Sequence, residues 1–335
     1  MMKTINRSRS GELHQVLAIA VIVAIATPLI ASNPALIDTS VTIATFSLIA
    51  ISLAMSYGLG GMLSFAQAGF ASIGAYATAI ASVNYGLSPF VGLVFAIAVP
   101  TCLSFVTARL IVRLSPLALG MATLALSQLI ELVADEGGEF TGGYIGISGI
   151  PDVPFITDWL WLHLIGWLSV VVVLMAYIRL RHSNAGRSLK AISTDSTLAQ
   201  GMGVRPVLQL ALLFTLSGAV AGFAGWFYAH SRTYVAPSSL GLDVSFMVAI
   251  AVVVGGRRTI MGPVLGTVLT VLMRDMLPGT ESHGMFYGAA LVATLLLFPE
   301  GVMGMNWSAL WRGREKAAHT VKVEPANPVT GVNVK

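Results

Sequence analysis

Ten long apolar runs constrain this chain more than any motif in it: Val16–Ala31, Ser40–Tyr57, Met62–Ser82, Pro89–Val112, Pro116–Ala134, Trp159–Ile178, Val207–Ala229, Val244–Val254, Met261–Met273 and Met285–Phe298. About 20 apolar residues in a helix cross a hydrocarbon core of roughly 30 Å. Lipid offers no hydrogen bonds, so a spanning backbone must satisfy its own, as a helix does. Only 10% of the residues are charged and 56% are hydrophobic. A soluble domain carries about 25% charged residues, so this chain lacks the polar surface to face water throughout. The expected fold is an all-α integral membrane protein of about ten transmembrane helices. Residues 1–305 form the membrane domain, and 306–335 a polar tail expected to be disordered. Basic residues precede the first run, but no small-x-small cleavage site follows it, so it reads as a retained span.

Charge gives the orientation. With ten crossings, Lys3, Arg7, Arg9, Arg109, Arg113, Arg179, Arg181, Arg187, Lys190, Arg205, Arg257, Arg258, Arg312, Arg314, Lys316, Lys322 and Lys335 share one side. Arg232 and Arg274 fall on the other, with Asp38, Asp135, Glu136, Glu139, Asp152, Asp158 and Glu281. Lys and Arg concentrate in cytoplasmic loops, which places both termini inside. The net charge of +4 therefore reads as topology, with membrane lipid and not nucleic acid as the partner.

Two runs, Val244–Val254 and Met261–Met273, are too short to span comfortably, and they flank Gly255-Gly256-Arg257-Arg258. Flanking residues could extend them, or they could be half-helices meeting inside the bundle. Small residues recur at four-residue spacing in Ala71, Ala75 and Ala79, in Gly218 and Gly222, and in Ala221 and Gly225. Such faces let helices pack closely in lipid, and lining a pathway is the alternative use.

Catalytic signatures are missing. There is no GxxxxGK[ST] loop, HExxH, CxxC or GxSxG, and the six histidines are scattered without ligand spacing. The single cysteine, Cys102, excludes an intramolecular disulfide. Neither enzymatic activity, nor a metal site, nor a bound cofactor is expected. Polar residues inside the runs are few: Gln67, Thr123, Ser127, Gln128, Thr215, Ser217 and Ser245, with Glu131 and Asp243 near outer ends. Intramembrane polar groups are costly unless they face the interior or water. A lone Ser or Thr can simply bond its own helix. Thr123 and Ser127 share a helix face with Gln128 at its border, so Gln67, Thr123, Ser127, Gln128 and Ser245 are the pathway-lining candidates. Asp243 can serve the N-terminus of its own helix. No intramembrane charge pair points to an ion relay, which disfavours a self-sufficient secondary carrier.

One polar island interrupts the runs. GRSLKAISTDSTLAQGMGV, Gly186–Val204, lies within a loop at 180–206. Asn184–Ile192 can form a turn or two of helix. Ser193 or Thr194 can cap a second helix with Asp195 in its first turn, and Gly201 or Gly203 can end it in a left-handed conformation. Leu189, Ile192, Leu198 and Met202 make an apolar stripe. The island suits docking into a partner protein; an interfacial helix lying on lipid is the alternative.

The island and the following LSGAVAGFAGWFYA, Leu216–Ala229, resemble the coupling segment of LivM-type permeases of branched-chain amino acid ABC importers. YGLGGMLSFAQAGFASIGAYA (Tyr57–Ala77), MATLALSQLIELV (Met121–Val133), TGGYIGISGIP (Thr141–Pro151), VAPSSL (Val235–Leu240), VVVGGRRTIMGPVLG (Val252–Gly266) and FPEGVMG (Phe298–Gly304) extend the resemblance over most of the chain. It implies a type II ABC importer-like bundle in the bacterial inner membrane, without catalytic residues of its own. It also implies a second, LivH-like permease subunit, two cytoplasmic ATPase subunits that use the ATP, and a periplasmic substrate-binding protein. Coupling to the ATPase would fall on Arg187, Ser193, Thr194, Asp195, Ala199 and Gly203. The chain departs from the family pattern at Gln67, often histidine, near Leu210, where a basic residue is usual, and at Arg257-Arg258. Relatives that carry urea or amides keep the substrate open. An integral-membrane enzyme is the least favoured class, because no catalytic constellation is present.

Overall fold

The computed structural model describes residues 2–154, 158–276 and 303. Helices α1 (Met2–Ile30), α2 (Pro34–Gly60), α3 (Gln67–Ala79), α4 (Pro89–Ile111), α5 (Pro116–Asp135) and α6 (Trp159–His182) come first. The short α7 (Asn184–Thr194) and α8 (Ser196–Gly201) follow, then α9 (Pro206–Arg232), α10 (Leu242–Gly255) and α11 (Gly262–Met276). Seven described segments are long and apolar enough to cross a membrane by length and composition. They contain α1, α2, α4, α5, α6, α9 and α10, the last lengthened to Pro237–Gly255 by a 3-10 turn. The first short run thus gains a 3-10 turn ahead of it, with the extended Gly241 between that turn and the 14-residue α10. The α11 helix pairs with α10 through the turn at 256–261. The tenth run, Met285–Phe298, and the tail lie outside the described residues.

The bundle is built around α2 and α3. The α3 helix packs on α9, α4, α5 and α10, and α2 packs on α9, α6, α11 and α10. The α1 helix sits at the edge, largely exposed, with Leu29 74% accessible. Polar contacts clamp it to α6: Thr27 Oγ1 to His163 Nε2 at 3.2 Å, and Glu12 to Arg181 and His182 at 3.4 and 2.7 Å. At the opposite end of the bundle Arg232 on α9 pairs with Asp38 on α2 at 2.9 Å. There the two-residue strands β1 (Ile147–Ser148) and β2 (Tyr234–Val235) pair antiparallel and tie the α5–α6 loop to the end of α9.

The third run is not the continuous helix expected over Met62–Ser82. Helix starts only at Gln67, and one π-helical turn extends it to Asn84. The reason is local. Gly61 takes a left-handed φ of 70° and ends α2, its N–H bonding Tyr57 O at 3.0 Å while Met62 N–H bonds Ser56 O at 3.2 Å. The chain then doubles back. Gln67 reaches Ser52 Oγ at 3.2 Å, about 12 Å up α2 from its end at 1.5 Å per residue. Residues 61–66 thus run without helix at membrane depth, which is tolerated only inside protein or along a cavity.

The small-residue faces do the packing. Ala71, Ala75, Ala79 and Ala221 are fully buried. A Cβ on Gly225 would collide with the Ala71 carbonyl, and one on Gly222 with the Ala96 carbonyl. Pro100 has no N–H to bond Ala96 O, so the freed carbonyl lies against Gly222 where α4 and α9 cross. Gly225→Val should therefore cost about 1–3 kcal/mol through overpacking and lower the melting temperature in detergent. Gly201→Ala, with open space and a helical backbone, should leave it unchanged.

Candidate functional site

Hydroxyls on α5 organise the bundle interior. Thr123 is buried; its Oγ1 bonds back to Leu119 O at 2.9 Å and accepts the N–H of Phe65 at 3.1 Å. Ser127 Oγ meets Ser245 Oγ of α10 at 3.2 Å. Four residues apart on one face, these two hydroxyls hold the 61–66 segment and α10 against α5. Gln67, 1% exposed, spans Ser52 on α2 and Ser217 on α9, the latter at 3.3 Å. Four of the five pathway candidates are therefore satisfied inside the subunit. The structure brings Thr123, Ser127 and Ser245 together and sets Gln67 in a separate junction of three helices.

Gln128 differs: it is exposed on the outer flank of α5. With Glu131, Asp135, Tyr144 and Ser238 it lines a cavity of about 430 Å³ at the start of α10. Glu131 Oε2 accepts the N–H of Leu242 at 3.3 Å and lies against Gly241. A carboxylate at a helix N-terminus is stabilising, and here it comes from α5. Asp243, the residue the sequence offered for that role, also stands in the first turn of α10, exposed, so two carboxylates serve this helix start. Inward of this vestibule Phe65 and Phe246 meet edge-on, with centroids 5.5 Å apart and planes at 61°. Neither ring stood out in the sequence, since nothing periodic marks them. The spacing of Gln128 and Glu131 on one helix face was the available signal for the vestibule. A larger cavity, about 650 Å³, lies on the other flank of α5 against α3 and α4, lined mostly by aliphatic and aromatic side chains such as Ile73, Phe95, Leu129 and Val133.

The island forms two helices, as its pattern predicts, with different caps. Ser183 Oγ accepts the N–H of Gly186 at 3.2 Å and starts α7. Asp195 itself caps α8, its Oδ1 accepting from Thr197 and Leu198 at 2.9 and 3.0 Å. Ser193 and Thr194, expected as caps, instead bond back to Lys190 O within α7. Gly203 is the left-handed exit, with φ 83°; Gly201 stays helical. Arg187 bonds His182 O and Asn184 Oδ1, closing the junction of α6 and α7. The apolar stripe divides. Leu189, Ile192 and Ala199 are buried, with α7 seated on α2, α6 and α9, whereas Leu198 and Met202 are 64% and 76% exposed. The island is thus a rigidly seated knob with an apolar tip. Among the described residues no group of three or more His, Cys, Asp or Glu is placed to hold a metal ion.

Residues 35–295 match the family model described as branched-chain amino acid transport system / permease component. The LivM high-affinity branched-chain amino acid transport permease protein of Salmonella typhimurium is 28% identical, covering 85% of this chain and 73% of that protein. Its namesake in Escherichia coli K12 is 27% identical over 80% and 70%. The probable LivH permease protein of Methanocaldococcus jannaschii is 27% identical over 79% and 90%. No solved structure matches. The chain belongs to this permease family, and it is a multi-pass membrane protein.

Replacing Asp195 tests the knob directly. Asp195→Ala should remove about 1 kcal/mol of helix capping. Amide exchange at Thr197 and Leu198 should then quicken by about fivefold, while Asp195→Asn keeps most of the protection.

Proposed function

We propose that this chain is the LivM-like permease subunit of an ABC importer that carries branched-chain amino acids across the bacterial inner membrane. In this reading it makes ten crossings with both termini cytoplasmic, and a LivH-like second permease subunit packs beside it. Two cytoplasmic ATPases supply the energy, ATP being bound by them and not by this chain, and a periplasmic binding protein delivers substrate to the outer face. The relatives' names and the family support the substrate and the assembly.

One observation carries the placement of the route. Away from the ends of α1, α4 and α6 the large exposed side chains are apolar, as lipid requires; Leu17, Val94 and Leu168 are examples, and the exposed His14, Gln15, Arg109 and Arg179 all lie near span ends. On α5, Gln128 and Glu131 break that rule on the flank beside α10. An exposed amide beside a half-buried carboxylate within a span belongs against water or protein, so this face is the route and the contact with the second permease. Thr123, Ser127 and Ser245 shape the route from behind, and Gln67 fixes the helices around it.

The knob supplies coupling. A short capped helix moves as a rigid lever, whereas a loop would absorb the displacement. Leu198 and Met202 present an apolar tip to an ATPase groove, Ala199 and Arg187 anchor the base, and Gly203 permits the exit.

Co-expression with a binding protein, second permease and ATPases should give leucine uptake into inverted-free, right-side-out vesicles only with ATP inside. Uptake that persists unchanged without the ATPases would establish a self-sufficient carrier instead. A valine at Gly203 cannot easily adopt φ 83°, so Gly203→Val should reduce uptake at least tenfold at normal membrane abundance. Thiol labelling at Asn184 from inside and at Glu139 from outside checks the orientation.

A further inference from the structure

Resting on the route proposed above, we infer that Phe65 and Phe246 form its apolar constriction and select the aliphatic side chain of the transported amino acid, with Thr123 and Ser127 as positioning residues. The two rings lie on different elements, and each is held from α5. The backbone N–H of Phe65 is fixed by Thr123 Oγ1 at 3.1 Å, and Gly120 leaves space beside the ring. The neighbour of Phe246, Ser245, is fixed by Ser127 at 3.2 Å. Phe65 stands on a non-helical segment, a feature that membrane proteins keep where backbone is buried in protein or lines a cavity. Phe246 is 37% exposed, one turn of α10 beyond Leu242, whose N–H bonds Glu131 of the vestibule.

The order of groups along this face matches one kind of ligand. The vestibule offers Gln128 and Glu131, and Leu242, whose N–H bonds Glu131, sits four residues before Phe246. Four helical residues rise about 6 Å, so the Glu131 carboxylate lies roughly the length of a small amino acid from the rings, while Gln128, next to Ser127, stands nearer their level. A zwitterion with an aliphatic tail would meet the Glu131 carboxylate at its ammonium end, two ring surfaces at its tail, and the Gln128 amide between them. Because Phe65 hangs from Thr123 on α5 while Phe246 is part of α10, a displacement of α5 against α10 that breaks the Ser127–Ser245 contact would part the rings and open the constriction.

The test uses the reconstituted complex with its ATPases and binding protein, measuring leucine and alanine uptake in competition. Phe65→Ala and Phe246→Ala should each raise the KM for leucine about tenfold and change that for alanine less than twofold, the scale set by lost apolar pocket contacts. Thr123→Val, which keeps the shape but cannot accept from Phe65 N–H, should reproduce part of this shift, and Thr123→Ser should restore it. If the alanine variants do not accumulate, Phe65→Leu and Phe246→Leu keep most of the volume and should shift the leucine-to-alanine ratio about threefold in the same direction. A ratio within twofold of wild type in the accumulated variants, or an equal loss for both amino acids, overturns the assignment. Failure of the wild-type complex to transport leucine with its ATPases would instead overturn the reading of the route itself.

Discussion

The need to satisfy backbone hydrogen bonds away from water governs this structure. Continuous helices meet it alone, and the break at 61–66 meets it with borrowed partners. The end of α2 is closed by Gly61, Ser64 Oγ accepts the N–H of Ala66 at 3.2 Å, and Thr123 accepts that of Phe65. Of these partners only Thr123 comes from outside the segment and α2, so the break leans on α5 beside it. The same dependence explains why α3, the helix entered from the break, is packed so tightly by Ala71, Ala75 and Gly225. Its position sets the level of the aromatic pair, so packing deep in the bundle reaches the proposed route through one backbone segment.

From this core the surface divides by chemistry. Hydrocarbon-compatible faces occupy α1, α4 and α6. A polar vestibule occupies the flank of α5, where Glu131 also joins α5 to the start of α10. At the cytoplasmic end in the proposed orientation, α7 buries Leu189 and Ile192 against the bundle while α8 projects Leu198 and Met202. In the proposed coupling, a force applied to α8 would pass through the Asp195 cap into α7, which packs on α2, α6 and α9. The α2 helix is also the element that ends at the break. A continuous chain of packed helices therefore joins the knob to Phe65.

Much of this was legible in the sequence. Apolar runs marked the long helices because lipid demands length and composition that nothing else explains. The island's caps and left-handed exit were visible as residue types, though the cap proved to be Asp195 because its short carboxylate reaches two amides ahead, while Ser193 and Thr194 bonded backward within α7. The break inside Met62–Ser82 was hidden, since Met62, Leu63 and Phe65 are as apolar as any helix and the Thr123 contact that supports the non-helical path comes from a distant segment. Hydropathy could not separate Thr123 and Ser127, turned inward, from Gln128, turned outward; that depends on which flank of α5 meets α10. The aromatic pair depends on contact between distant segments and left no local signal.

The central claim is that the Gln128 flank of α5 faces an aqueous route and not lipid. It is tested by placing single cysteines at Gln128 and at Leu168 in a Cys102→Ser background, since Cys102 is itself exposed. The assembled transporter is then treated from outside with a membrane-impermeant maleimide. Gln128→Cys should react readily and be protected when the binding protein docks, whereas Leu168→Cys on α6 should stay unlabelled. Equal resistance of both positions to the reagent would contradict the account and return that flank of α5 to the lipid.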